Sequence, residues 1–289
     1  MREEDFFFPS DLADTRIEPR TYRFSRPWGV PVRYHDFKEY AARISPDLWE
    51  FHLSYSDMDL EPADYLDGVY AADFVVHAPE LFSGSRLMDL ATPDEGYRQE
   101  SIRETQRIIN ITRAMIVANI GGFTMDEPLP GGVIEGYYRR FANSLDELDR
   151  EGVEIIPQTM APFPWHFGGQ RFQNIFVKID EIVDWCGRLD LRMCFDISHS
   201  RLTCNHLGYD FYDFAAKIAP FAGHLHLGDA KGLNGEGLQI GDGDIDFARL
   251  GGILKVGCPD ASFIPEIWQG HKNGGEGFWI ALERLEGAL

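Results

Sequence analysis

Between residues 28 and 289 the chain alternates between two hydrophobic rhythms. Short apolar runs, rich in β-branched and aromatic residues, begin near Val30 (VPVRYH), Leu48 (LWEFHLSY), Asp73 (DFVVHAP) and Met115 (MIVANIGG). Four more begin near Val153 (VEIIPQTM), Leu191 (LRMCFDISH), Gly223 (GHLHLGD) and Ser262 (SFIPEIW). Their length and composition predict strands. Between them, apolar residues recur at helical spacing and predict helices over 96–114, 135–150, 174–189, 211–220 and 276–289. In the second of these Tyr138, Phe141, Leu145 and Leu148 form one stripe; in the third Phe176, Ile179, Ile182, Val183 and Cys186 do.

Eight strands, each followed by a helix or a gap long enough for one, recur about every 33 residues, the size of a βα unit in a TIM barrel. The pattern predicts an α/β fold: a (β/α)8 TIM barrel formed by residues 28–289 as one domain. A doubly wound sheet would want a GxGxxG turn after its first strand, which this chain lacks. Residues 1–27, interrupted by Pro9, Pro19 and Pro27, read as an N-terminal extension that packs on the barrel or tethers it.

A barrel of this kind carries its reactive groups at the C-terminal ends of its strands. Here those ends hold His35 and Asp36; His52, Tyr55 and Asp57; His77; Asn119; Gln158; Asp196 and His199; His224, His226 and Asp229; and Glu266. An ionisable or metal-competent group at nearly every strand end is more than a structural barrel needs. Asp196, His226 and Glu266, from three consecutive strands, make a hard donor set for a divalent cation: Mn²⁺, Mg²⁺ or Co²⁺, with Zn²⁺ an alternative. His224 and His226 share a strand face. His226 lies nearer the mouth and is the better ligand, leaving His224 to meet substrate or to support the ligands.

Charge narrows the partners. Against 47 Asp and Glu stand 27 Lys and Arg, a net charge of -20, which disfavours nucleic acid and anionic membranes. Four cysteines without CxxC pairing read as reduced thiols of a cytoplasmic protein. The N-terminal Phe6-Phe7-Phe8 lacks the flanks of a signal peptide, and no run reaches the roughly 18 apolar residues of a membrane span.

The series FDISH, GHLHLGD, GDGDID (residues 241–246) and PEIW followed by GH resembles the xylose isomerase-like TIM barrels over about residues 28–289, most strongly from Val153 onward. That superfamily takes in sugar and sugar-phosphate isomerases and epimerases and the metal-dependent apurinic endonucleases. The resemblance implies a metal held by a Glu, an Asp, a His and a Glu on strands 5 to 8. Asp196, His226 and Glu266 match the last three; His199 matches a second functional histidine, and His77 a histidine facing substrate. At strand 5 the family's Glu is replaced by Gln158, whose carbonyl still binds a hard cation but cannot act as a base. Glu154, about 13 Å back along the strand, falls at the opposite end. The two-carboxylate scheme of the epimerases is thereby in question. Three chemistries remain: proton transfer by Glu266 or His199 beside the metal, metal activation of water for hydrolysis or dehydration, and sugar binding without turnover. The endonuclease reading fails on the acidic surface and on Asn119, where those relatives carry a histidine.

Two of the six lysines, Lys231 and Lys272, follow strands 7 and 8 beside Arg249, His271 and the glycine-rich GHKNGGEG (residues 270–277). Loops there, with a helix N-terminus, are the usual phosphate site of the fold, so the sugar is expected to be phosphorylated or acidic; the alternative is that the glycines only shape a turn. The aromatic segment APFPWHFGGQRF (residues 161–172) suits a lid that brings Trp165 and His166 onto a sugar face, or an interface of a homo-oligomer.

Overall fold

A computed structural model describes residues 17–66, 73–83, 86–125, 127–166 and 169–289. Eight parallel strands appear where the apolar runs place them: β1 Gly29–Val32, β2 Leu48–His52, β3 Asp73–His77, β4 Met115–Ala118, β5 Ile155–Pro157, β6 Met193–Asp196, β7 Ala222–Leu227 and β8 Ser262–Pro265. β1 to β5 pair in order, and so do β6 to β8. Parallel bridges Gln158–Cys194 and Trp28–Phe263 join the two arcs into a closed barrel. The helices around it are α1 Tyr34–Ala41, α2 Glu95–Thr112, α3 Gly131–Glu147, α4 Ile179–Leu189, α5 Ile197–Leu207, α6 Phe211–Ile218, α7 Phe247–Gly257 and α8 Lys272–Leu285.

Strand alternation explains the two faces. Trp49, Phe51, Val76, Ile116, Ile155, Phe195, Leu225 and Phe263 point outward into the main core beneath the helices. Leu48, Val75, Val117, Ile156, Cys194 and Ile264 point inward and form a separate apolar plug inside the barrel. Each large aliphatic side chain buried in this way contributes about 1.5–3 kcal/mol. Two residues further along each of these strands the inward position turns polar: Glu50, His77, Asn119, Gln158, Asp196 and Glu266. The plug is therefore the floor on which the polar groups stand.

Three helices differ from the sequence expectation. His35 and Asp36 close no strand; they lie in the first turn of α1. α5 starts directly on Asp196, whose carboxylate accepts from the His199 amide, so DISH is a strand end and a helix cap at once. α7 is capped by Asp246. The GDGDID segment is built around Asp229, whose carboxylate accepts from the amides of Ala230, Gly241, Gly243 and Ile245. A Cβ on Gly243 would lie 2.3 Å from that carboxylate, which is why a glycine stands there. Residues 17–27 lie against the barrel: Tyr22 is buried and donates to the Trp279 carbonyl, and the Arg26 guanidinium is buried against the Cys258 and Ala261 carbonyls.

Candidate active site

At the C-terminal mouth the strand ends enclose a cleft of about 760 Å³. Its depth is lined by His52, His77, Asn119, Gln158, Asp196, His199 and Glu266. Asp196, His226 and Glu266 each aim one donor atom at a common point, all within 4.8 Å of one another. His226 Nδ1 lies 2.9 Å from Glu266 Oε2 and 3.8 Å from Asp196 Oδ2. β6, β7 and β8 set this spacing, because Asp196 and His226 are level across the sheet.

The other side of the His226 ring shows which nitrogen is the donor atom. His226 Nε2 faces Glu50 at 3.0 Å, and Glu50 also receives His224 Nε2 at 2.7 Å. All three side chains are fully buried. An Nε2–H held by that carboxylate turns Nδ1 toward Asp196 and Glu266, the arrangement by which a buried carboxylate orients a metal-ligating histidine. Burial alone would push Glu50 up; His226 and His224 outweigh it and hold Glu50 well below the usual carboxylate range.

Gln158 stands beside this set. In the orientation seen, its Nε2 donates to Asp196 Oδ2 at 2.7 Å and faces His226 Nδ1 at 3.2 Å, while its Oε1 faces His77 Nε2 at 3.1 Å. His77 Nδ1 lies 3.0 Å from the Ala78 carbonyl. Burial, with His52 beside it, lowers the His77 pKa and keeps the ring neutral. A neutral ring donating to Ala78 presents a lone pair at Nε2, opposite the Gln158 oxygen: two acceptors face each other. Turning the carboxamide end for end relieves that contact and instead sets Oε1 2.7 Å from Asp196 Oδ2, a pair of oxygens that a shared proton or a cation would hold together. Its N–H then donates to His77, and Oε1 joins Asp196, His226 Nδ1 and Glu266. Three oxygens then surround His226 Nδ1. Burial opposes a charged His226, yet Cys194, Glu266 and Glu50 outweigh it and raise the imidazole well above its usual value, so Nδ1 carries a proton toward Glu266 that a hard cation would displace.

The charges fit the same requirement. Burial, with Glu266 nearby, raises Asp196 from 3.8 to about 7, so an ionised Asp196 is poorly compensated by the protein alone. Burial would raise Glu266 too, but His226, 2.9 Å away, holds it below its ordinary range. Burial opposes a charged His199, yet Asp196 and Glu236 outweigh it and raise that imidazole to about 10. His199 Nδ1 lies 2.9 Å from the Thr159 carbonyl and Nε2 lies 3.1 Å from Glu236, so both nitrogens face acceptors and the ring is an imidazolium. Asn119 donates to Glu80, and its Oδ1 is buried in the cleft wall with no hydrogen-bond partner, an acceptor a substrate hydroxyl would satisfy.

The remaining candidates divide. Trp165 and His271 line the cleft. His166 pairs through its backbone with Gly169, and its side chain lies outside the described residues. His224 is fully buried below the cleft, between Glu50 and Ser262, where it supports Glu50 and is not part of the cleft wall. Lys231 and Lys272 are not cleft residues either. Lys231 is exposed on the hairpin of Asp229–Lys231 and Gly235–Leu238, and Lys272 opens α8. Arg249 stacks on Tyr212 at 3.8 Å. In GHKNGGEG, Asn273, Gly274 and Gly275 are left-handed, and the Gly275 and Gly277 amides already donate to His271 and Gly270. The glycines therefore turn the chain into α8 and leave those amides no anion to hold. Glu154 is bound to Arg192 at 2.7 Å, far from Gln158 as expected. The sequence did not single out Glu50, hidden in mid-strand, or Glu236, on a hairpin without hydrophobic signal.

The family model for the xylose isomerase-like TIM barrel matches residues 43–285. The chain belongs to the xylose isomerase-like TIM barrel family. No functionally curated protein matches the sequence. Among solved structures, a D-tagatose 3-epimerase-like protein is 20% identical with a TM-score of 0.64, over 90% of this chain and 98% of its own. A D-allulose 3-epimerase from Methylomonas sp. is 12% identical with a TM-score of 0.67, over 93% of this chain and 100% of its own. IolI, solved with a bound zinc atom, is 12% identical with a TM-score of 0.64, over 91% and 96%. At such identities these likenesses establish the fold, and for this family member the site must be argued from its own residues.

Proposed function

We propose that this chain is a divalent-metal-dependent sugar isomerase that works by proton transfer at the mouth of its barrel. The convergence of Gln158, Asp196, His226 and Glu266 on one point carries the reading. Those four would hold Mn²⁺, Mg²⁺ or Co²⁺, with Zn²⁺ the alternative favoured by the zinc named with IolI. A bound cation there supplies Lewis acidity, polarising a substrate carbonyl or hydroxyl. The structural neighbours named as 3-epimerases of ketoses favour a ketose or aldose as the substrate class.

The chain's own residues then divide the work. Glu266, on the cleft wall, takes the proton from the carbon next to the carbonyl and returns it to the neighbouring carbon. His199, held as an imidazolium by Asp196 and Glu236, sets a positive charge on the cleft wall that stabilises the oxygen on which negative charge develops. The Asn119 oxygen accepts a hydroxyl and fixes the ring's position. Gln158 cannot accept a proton, so the paired carboxylates of a two-face epimerisation are missing, and aldose–ketose isomerisation on one face fits better. The cytoplasmic placement is part of the same proposal, supported by four buried thiols without a disulfide; no helix among the described residues is long and apolar enough to cross a membrane.

A second reading, sugar binding without turnover, is favoured by the orientation of Gln158 in which its amide already satisfies Asp196 without a cation. Deuterium exchange separates the two. Mn²⁺-loaded protein in D2O is expected to label ketoses such as D-fructose or D-tagatose at C1, and Glu266→Gln to abolish the exchange. Label at C3 would indicate epimerisation; no label in any sugar, with binding retained, would establish the second reading.

A further inference from the structure

The described residues include four exposed aromatic side chains: Tyr55, Trp165, Tyr209 and Trp268. Three of them, Tyr55, Trp165 and Trp268, line the one cleft that holds the acidic cluster. Trp165 is 53% and Trp268 58% exposed, values unusual for the largest apolar side chain. They are fixed to the same piece of backbone. The Trp268 amide donates to the Gly237 carbonyl at 2.7 Å, next to the Glu236 that holds His199. The Trp165–His166 and Gly169–Gln170 ladder reaches the same hairpin through Gln170 and Asn234. Trp268 follows Glu266 by two residues, so this aromatic edge stands one step outward from the proposed base.

The charge of the cleft is as lopsided as its apolar rim. Among the described residues Arg33 is the only lysine or arginine lining it, against Asp36, Glu80, Asp196, Glu236 and Glu266. A phosphate or carboxylate group would meet mostly carboxylates there. Aromatic faces instead suit the C–H faces of uncharged sugar rings, whose hydroxyls reach past the ring edge to polar neighbours. A volume of about 760 Å³ lies in the upper part of the range that takes ligands larger than one hexose.

We infer that the cleft contains a second subsite, built by Trp165 and Trp268, and that the preferred ligand is a neutral reducing disaccharide. Its reducing ring occupies the deep acidic site, and its second ring lies on the tryptophans. The assignment rests on the sugar reading above and replaces the expected phosphate.

Calorimetric titration of the Mn²⁺-loaded protein tests it, with lactulose, maltulose and cellobiose set against D-fructose, D-tagatose and D-glucose. At least one disaccharide should bind about tenfold more tightly than any of the monosaccharides, and Trp165→Ala and Trp268→Ala should each remove most of that advantage. Metal content should stay unchanged in both variants, and monosaccharide affinity should fall less than disaccharide affinity. Equal or tighter binding of monosaccharides overturns the inference, as does disaccharide binding indifferent to both variants. If the variants instead turn an oligomer into a monomer and leave saccharide binding alone, the rim is an interface between copies and the subsite is refuted. Deuterium exchange into monosaccharides with disaccharides refused would remove this inference and leave the proposed function standing. Tryptophan-dependent disaccharide binding without exchange would do the reverse.

Discussion

Two polar levels lie one above the other inside this barrel, and they handle buried charge in opposite ways. The lower level is built on the fully buried Glu50 and His224, with the half-buried Ser262 hydroxyl on the far side of His224, and its carboxylate is matched by histidines: His224 and His226, with His52 Nε2 a further 3.1 Å contact from the cleft wall. The upper level, Gln158, Asp196 and Glu266, opens to the cleft and consists of acceptors. His226 belongs to both, Nε2 below and Nδ1 above. A closed set of charges holds a structure in place, whereas an open set of acceptors of one sign calls for something from outside. On the proposed reading, the lower level fixes the ligand and the upper level is where a cation would bind.

The contrast is sharpest if the lower level is broken first. Glu50→Ala leaves two imidazoles in a dry interior without their acceptor, and should cost about 3–5 kcal/mol of folding stability by denaturant titration. Should stability hold while only metal affinity falls, the lower level is not the support described here. Glu50→Gln keeps the volume and one acceptor, so the fold should survive while Mn²⁺ affinity falls about 10- to 100-fold. On the upper level, Gln158→Glu should tighten Mn²⁺ binding about tenfold, because an amide oxygen becomes a charged one. Unchanged affinity would mean that Gln158 keeps its N–H toward Asp196 and is no ligand. The smallest effect belongs to Ser262→Ala, which removes the hydroxyl 2.7 Å from His224 Nδ1. It should cost about 1 kcal/mol and leave metal affinity alone; a large loss of metal would show that the two levels are coupled beyond His226.

The barrel was legible because each strand is a short run of β-branched and aromatic residues whose inward positions change from apolar to polar toward the C-terminal end. Cys194 then Asp196, Ile264 then Glu266 and Ile156 then Gln158 can be read from alternation alone. α5 escaped because its cap, Asp196, is also the last residue of its strand, so no loop separates the two periods. Glu50 escaped for a related reason: a carboxylate in mid-strand reads as solvent-facing unless two histidines on another strand are known to cross the barrel toward it. The lysines misled because scarcity along a sequence says nothing of direction. Lys231 and Lys272 sit in the expected loops, but the left-handed Asn273–Gly275 turn and the pairing of the hairpin set the chain's path, not an anion.

The central claim is that the open level holds a divalent cation. Metal content by mass spectrometry tests it directly, on protein stripped with chelator, reloaded with Mn²⁺ and desalted. Wild type should retain about one ion per chain, and Asp196→Asn, which keeps an N-cap for α5 while losing the ligand charge, should retain almost none. Wild-type protein that keeps no metal, or an Asp196→Asn protein that keeps as much as wild type, would contradict the account.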